Sequence, residues 1–371
     1  MRGGVKAQTQ FVSFFHIEDV IARDHPLRVI KPIIDGILKE MSPLFEEMYS
    51  TEGRPSIPPE RLLKSQVLIA LYSVRSRNLF AEQLHYNLLF RWFLDMDLTE
   101  VPFVESTFSK NQERLLKHAV AEIFFAAVIN EARLQQYVSN EHFTVDGTLI
   151  EAWASLKSFK AKPKSGEKQS DKAGNSPDDP GNPTVDFHGE KRCNQTHQST
   201  TDPECRLYKK GKGREARLCF GAHVVMENRN GLCLDIRIAK PVDATETDIA
   251  LELLQKQREL HGVTPHTVGA DKGYHNQQFV QGCRQSGIIP HVAEIKNRKV
   301  EGLDGRTTKT PEYQTSQKLR KRVEEIFGWM KTVGGFRKTR VRGEERTQME
   351  GYWVGSAYNL LRIGRLMATP V

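Results

Sequence analysis

The chain has 371 residues, room for two or three domains at about 150 residues each. Its hydrophobic content of 38% can fill a core but cannot line a bilayer, and its longest apolar stretch, Ala119 to Ile129, contains Glu122 and falls short of the ~20 residues a spanning helix needs. Lys and Arg number 54 against 46 Asp and Glu, a net charge of +8. The excess is clustered at Lys157 to Lys172, Lys209 to Arg217, Lys318 to Arg322 and Arg337 to Arg342, which suits a polyanion such as nucleic acid.

Near the N-terminus, Phe11, Phe14 and Phe15 are interrupted by Gln8, Gln10 and His16, so no unbroken signal-peptide core is expected. The five cysteines (Cys193, Cys205, Cys219, Cys233, Cys283) are odd in number and thinly spread, which fits a reducing cytosol rather than a disulfide framework. The spacing Cys193-x3-His197-x7-Cys205, with His188 nearby, matches no common zinc pattern.

Residues up to about 139 read as an all-α region. Leu62, Leu63, Val67, Leu68 and Leu71 recur at helical spacing from Pro59 to Leu71, and Ser76-Arg77-Asn78 separates them from a second pattern at Leu79, Leu84, Leu88 and Leu89. Ser106 is the expected N-cap of a third helix that carries Phe108, Leu115 and Leu116 and runs on through Phe124, Phe125 and Val128. Such helices suit DNA recognition or dimerisation.

From His142 the pattern changes. His142 to Ile150 is β-prone, with Asp146 in its middle. A polar stretch from Lys157 to Gly189 has too few large apolar residues for a core of its own and is expected to form a loop or insert, extending to about residue 213. As a cationic arm it would track phosphates without reading bases. Two alternating strands, Leu218 to Val224 and Leu232 to Ile238, flank the hairpin signal Asn228-Arg229-Asn230-Gly231. A helix is predicted from Glu246 to His261, a strand from His266 to Ala270, a helix from Gln277 to Ser286 and a strand from Gly287 to His291. A charged loop then leads to a helix over 316–332 carrying Leu319, Val323, Ile326, Phe327 and Met330. A strand returning beside the first after a helical crossover requires a mixed sheet covered by helices.

Three acids stand out by position: Asp146 within a strand, Asp271 at the end of another, and Glu324 on an amphipathic helix. Neighbouring strands crossed by that helix would bring the three carboxylates together. Hard divalent cations want such oxygen ligands, and two of them serve phosphoryl transfer. Glu325 is the rival to Glu324, but it would project ~100° around the helix, and only Glu324 has Arg320 four before it and Lys331 seven after. Trp153 and Trp329 could stack on bases, although core packing is the commoner fate.

Asp146-Gly147-Thr148, Ala270-Asp271-Lys272-Gly273-Tyr274 and the run from Arg320 to Lys331 resemble the three catalytic blocks of DDE transposases. The last block follows the Tyr-x2-Arg-x3-Glu-x6-Lys signature of bacterial insertion-sequence enzymes through Arg320, Glu324 and Lys331, with Gln317 at the tyrosine position. Thr196 to Pro203, Leu89 to Phe93 and Ala357 to Arg362 are similar to the insertion-sequence-five family.

The resemblance implies an α/β, ribonuclease-H-like mixed sheet flanked by helices over 140–371, preceded by an all-α domain over 1–139 that binds DNA ends or dimerises. It implies Asp146, Asp271 and Glu324 as catalytic metal ligands for Mg²⁺, with Mn²⁺ able to substitute. It also implies Arg320, Lys331, Lys272, Lys210, Lys212 and Arg337 as DNA contacts. The partners implied are double-stranded DNA, both terminal inverted repeats and target, and at least one further copy of the chain, in the cytoplasm of a bacterium or archaeon and without a membrane. Asp271 and Glu324 lie only 53 positions apart, leaving little room for a large β-insertion. A DNA-binding protein acting by occupancy, or a nuclease of the same fold without strand transfer, would share parts of this pattern.

Overall fold

The computed structural model describes residues 16–50, 52, 56–162, 192–209, 211 and 215–368. Most of the lysine-rich insert, including Lys164, Lys168 and Lys172, lies outside the described residues, as do Lys210 and Lys212.

The N-terminal part is helical: α1 (Ile17–Val20), α2 (Leu27–Glu40), α3 (Ser42–Met48), α4 (Pro59–Leu71), α5 (Arg77–Gln83), α6 (Leu88–Phe93), α7 (Glu105–Lys117) and α8 (Val120–Leu134). Helix α4 has the bounds its leucine spacing predicts. The second pattern divides in two because each half has its own cap: the Ser76 side chain accepts from the Leu79 N–H, and Asn87 accepts from the Phe90 N–H. The third helix corrects the sequence reading twice. Ser106 sits inside the first turn of α7, whose N-cap is Val104 without a side-chain bond. The helix does not run on, because Ala119 adopts a left-handed conformation (φ +49°) and starts α8 in a new direction.

The sheet comprises β1 (His142–Glu151), β4 (Arg206–Tyr208), β5 (Arg217–Glu227), β6 (Leu232–Ala239), β7 (Thr267–Ala270) and β8 (Ile289–Val292). A separate pair, β2 (Phe159–Ala161) with β3 (His197–Ser199), forms where a loop is expected. Phe159 explains it: its ring is fully buried, so the start of the insert is tied down. In the main sheet β6, β5, β1, β7 and β8 lie side by side, with β4 on the same edge of β5 as β6. β5 is antiparallel to both β1 and β6, whereas β7 is parallel to β1 and to β8. This is the ribonuclease-H-like mixed sheet the sequence implies. The β5–β6 turn is the expected one, with Gly231 at φ +72°.

Helix α9 (Glu246–His261) covers one face, its start fixed by a reciprocal Thr245–Asp248 capping box and its end by Gly262 at φ +62°. Then come α10 (Gln277–Gln285), the single turn α11 (Gly305–Thr308), α12 (Pro311–Leu319) and α13 (Val323–Lys331). The helix expected over 316–332 is therefore two helices joined by a 3-10 turn, Arg320–Arg322. No strand of the main sheet is inserted between Asp271 and Glu324 beyond β8.

The long helix α14 (Glu344–Ala368) lies against β6 on one side and against α8, α4 and α2 on the other. Phe124 meets Trp353 at 5.6 Å between ring centroids, and Phe125 meets Tyr352 at 5.4 Å. Gly355 marks the tightest crossing: a Cβ there would stand 2.6 Å from Ile236 Cδ1 and 2.9 Å from Phe125 Cε2. The helical part and the sheet consequently share one continuous apolar core. Burying each large aromatic in it contributes about 1.5–3 kcal/mol. Among the described residues no helix is long and apolar enough to cross a membrane.

Candidate active site

Asp146 stands in the middle of β1, opposite Val224 of β5. The last residues of β1 and β7 in register are Thr144 and Gly269. Two positions on, at the point where the parallel strands part, come Asp146 and Asp271. Each aspartate is oriented by its own backbone: Asp146 Oδ1 accepts the Gly147 N–H at 2.8 Å, and Asp271 Oδ1 accepts the Gly273 N–H at 2.7 Å. Glu324 is exposed in the first turn of α13, which packs on β1.

The electrostatics connect these groups. Burial first, then the negative charges of Asp271, Glu324 and Glu246, push the Asp146 carboxyl up to about 6, against the lowering effect of the Gly147 amide. The buried Tyr274 phenol is raised for the same reasons, by desolvation and then by Glu246, Asp146 and Asp271. Among the described residues no three Asp, Glu, His or Cys side chains are gathered tightly enough to hold an ion as they stand. The carboxylates share a field without closing a shell.

Glu246 is the residue the sequence reading missed. It opens α9, and its carboxylate oxygens lie 3.5 and 3.6 Å from where a Cβ would stand on Gly147 and on Gly273. Glu246 thus lies within van der Waals reach of the backbone just after both aspartates, whereas the tightest neighbours of a Cβ at Gly147 and Gly273 would be His223 Nδ1 and Asp271 Oδ1, each at 2.9 Å. On the same side of Gly147 lies His223, buried, with Nδ1 unbonded and its titration pushed down to about 4 by desolvation.

The expected cations divide. Lys331 donates from Nζ to Thr148 Oγ1, two residues beyond Asp146. Arg320 is half-buried at the start of the 3-10 turn, and Lys272 is exposed directly after Asp271. Arg337 is not brought to the carboxylates. Its carbonyl accepts the Glu151 N–H at the far end of β1, five residues and roughly 17 Å along the strand from Asp146. Of the tryptophans, Trp329 packs edge-on against Tyr358, whereas Trp153 is exposed with the Lys338 ammonium 5.9 Å from its ring. Cys205, Cys219, Cys233 and Cys283 are buried free thiols, and His197 stacks on Phe159.

Two family models match this chain. Residues 15–114 match the Transposase domain (DUF772), and residues 185–360 match the Transposase DDE domain, so together they span most of its length. The chain belongs to the DDE transposases. Asp271 and Glu324 fall inside the DDE match, whereas Asp146 lies in the stretch between the two models. No curated protein sequence matches this transposase. Among solved structures it is similar to three assemblies of Mos1 transposase. The pre-cleavage transpososome is 9% identical with a TM-score of 0.19, covering 84% of this chain and 82% of that one. The paired-end complex with the left transposon end is 11% identical at 0.19, covering 88% and 85%. The strand transfer complex is 10% identical at 0.20, covering 85% and 79%. Superpositions this loose transfer no residue or contact to the present chain.

Proposed function

We propose that this DDE transposase cleaves double-stranded DNA at the terminal inverted repeats of its element and joins the freed 3′-hydroxyl ends to target DNA, using Mg²⁺ or, in its place, Mn²⁺. The observation that carries the reading is the gathering of acids around Asp146, a half-buried carboxyl on which Asp271, Glu324 and Glu246 all act as negative charges. Such a donor set suits a hard divalent cation, and Asp146, Asp271 and Glu324 are the residues that would hold it. When bound, such ions activate the attacking water or hydroxyl and stabilise the leaving oxygen of phosphoryl transfer.

The remaining roles belong to the chain's own cations. Arg320 and Lys331, which flank Glu324 in sequence, would hold phosphates near the scissile bond. Lys272, Lys210, Lys212 and Arg337 would bind the DNA backbone, Arg337 from the end of β1 rather than beside the acids. Pairing two transposon ends requires a second copy of the chain. The test is incubation of the purified protein with duplex DNA bearing the inverted repeats that bracket its gene. Mg²⁺-dependent nicking and joining are expected, and both should disappear in Asp146→Ala; a protein that binds the repeats but neither cuts nor joins them would overturn the reading.

A further inference from the structure

The structure assigns Gln317, by our inference, the task of positioning Arg320, so that the outer edge of its guanidinium is presented to a DNA phosphodiester. Gln317 lies in the last turn of α12 and bonds in two directions. Its Nε2 donates to the His291 carbonyl of β8 at 2.6 Å, and its Oε1 accepts from Arg320 Nε at 2.9 Å. The stem of Arg320 is held as well. A Cβ on Gly269 of β7 would stand 3.1 Å from Arg320 Cβ, so the arginine crosses directly over the strand that delivers Asp271 two residues later.

A guanidinium offers two bidentate edges, one combining Nε with an Nη and the other formed by both Nη amines. With Nε committed to Gln317, only the outer edge remains for a ligand. Neither Nη amine donates to a protein acceptor among the described residues. The chain Gln317–His291 thus refers the arginine to the sheet itself, across the 3-10 turn that separates α12 from Glu324. Arg320 is the group that would touch substrate, and Gln317 acts only through it. The inference rests on the proposed function for the identity of the phosphate, but not for the bond between the two side chains.

The test uses the full chain and Gln317→Met, which keeps the side-chain volume and removes both bonds. In spectra of protein labelled at arginine Nε, the Arg320 resonance is identified by its loss in Arg320→Lys. It should move to the position of a solvent-exposed arginine in Gln317→Met; an unmoved resonance overturns the inference. In the cleavage assay with Mg²⁺, Gln317→Met should lower kcat roughly tenfold to hundredfold, the cost of a misplaced group, while KM for the DNA stays near its original value. The double variant with Arg320→Ala should be no slower than Arg320→Ala alone. Losses that multiply in the double variant, or a change confined to KM, overturn it. An inert wild-type protein would instead overturn the reading of function, and the spectrum would then decide whether Gln317 holds Arg320.

Discussion

At Asp146 stability and activity should oppose each other. The folded protein holds its carboxyl near 6, above an unfolded value of 3.8, so ionisation weakens the fold in the absence of metal. The cost is absent below about pH 4, grows as pH rises to 6, and is then complete, at about 3 kcal/mol for a shift of this size. Asp146→Asn should therefore stabilise the metal-free protein toward urea at pH 7.5, by on the order of 2–3 kcal/mol, and leave it unchanged at pH 4, while abolishing cleavage. A variant that loses both stability and activity would mark Asp146 as structural. His142 shows the opposite sign. Burial, and then His291, pushes its titration down to about 4 from 6.5, while its ring nitrogens meet Thr267 Oγ1 at 2.7 Å and Ser316 Oγ at 3.1 Å. The neutral ring is the folded form, so stability is complete above pH 6.5 and falls by up to about 3 kcal/mol as the pH drops to 4. His142→Gln should flatten that acid limb in urea titrations at pH 4.5 and 7. Asp146 could be picked out because an acid in an apolar strand is out of place. Glu246 could not, since an acid in the first turn of a helix is ordinary.

Among the elements, those whose signals are local follow the sequence: α4 and α9 from their apolar spacing, and the β5–β6 hairpin from Asn230-Gly231. The breaks were hidden for physical reasons. Arg320, Lys321 and Arg322 favour helix, and apolar spacing continues across them, so nothing in composition announces a 3-10 turn. Ala119 is the best of helix formers, yet it stands left-handed at the start of α8, against its propensity. Helix α14 has apolar neighbours on two sides and therefore no single stripe by which to find it. Its tightest point makes a prediction. Gly355→Val would force atoms into Ile236 and Phe125 and should lower stability by about 1–3 kcal/mol, measured by urea unfolding; an unchanged midpoint would mean that the crossing can relax.

For the whole molecule, the positive charge should act as a field. Lys157, Lys160 and Lys162 are exposed on the described root of the insert, with Lys162 Nζ reaching the Asn194 carbonyl at 2.7 Å. Changing all three to Gln should weaken binding of repeat and random duplexes alike. It should also make the slope of log affinity against log salt shallower by up to about 0.9 per lysine. Loss for the repeat alone, or an unchanged slope, would show that these lysines do not meet phosphate. The placement of α14 carries a consequence for synthesis. It leaves the ribosome after every other described element, yet it packs on both β6 and α8, where Trp353 meets Phe124 and Tyr352 meets Phe125. A nascent chain must therefore carry its helical half with that surface bare until α14 has been translated, a state prone to aggregate. A message cut short before codon 344 would release a protein that is neither a free DNA-binding fragment nor a free nuclease, but one unable to close its core.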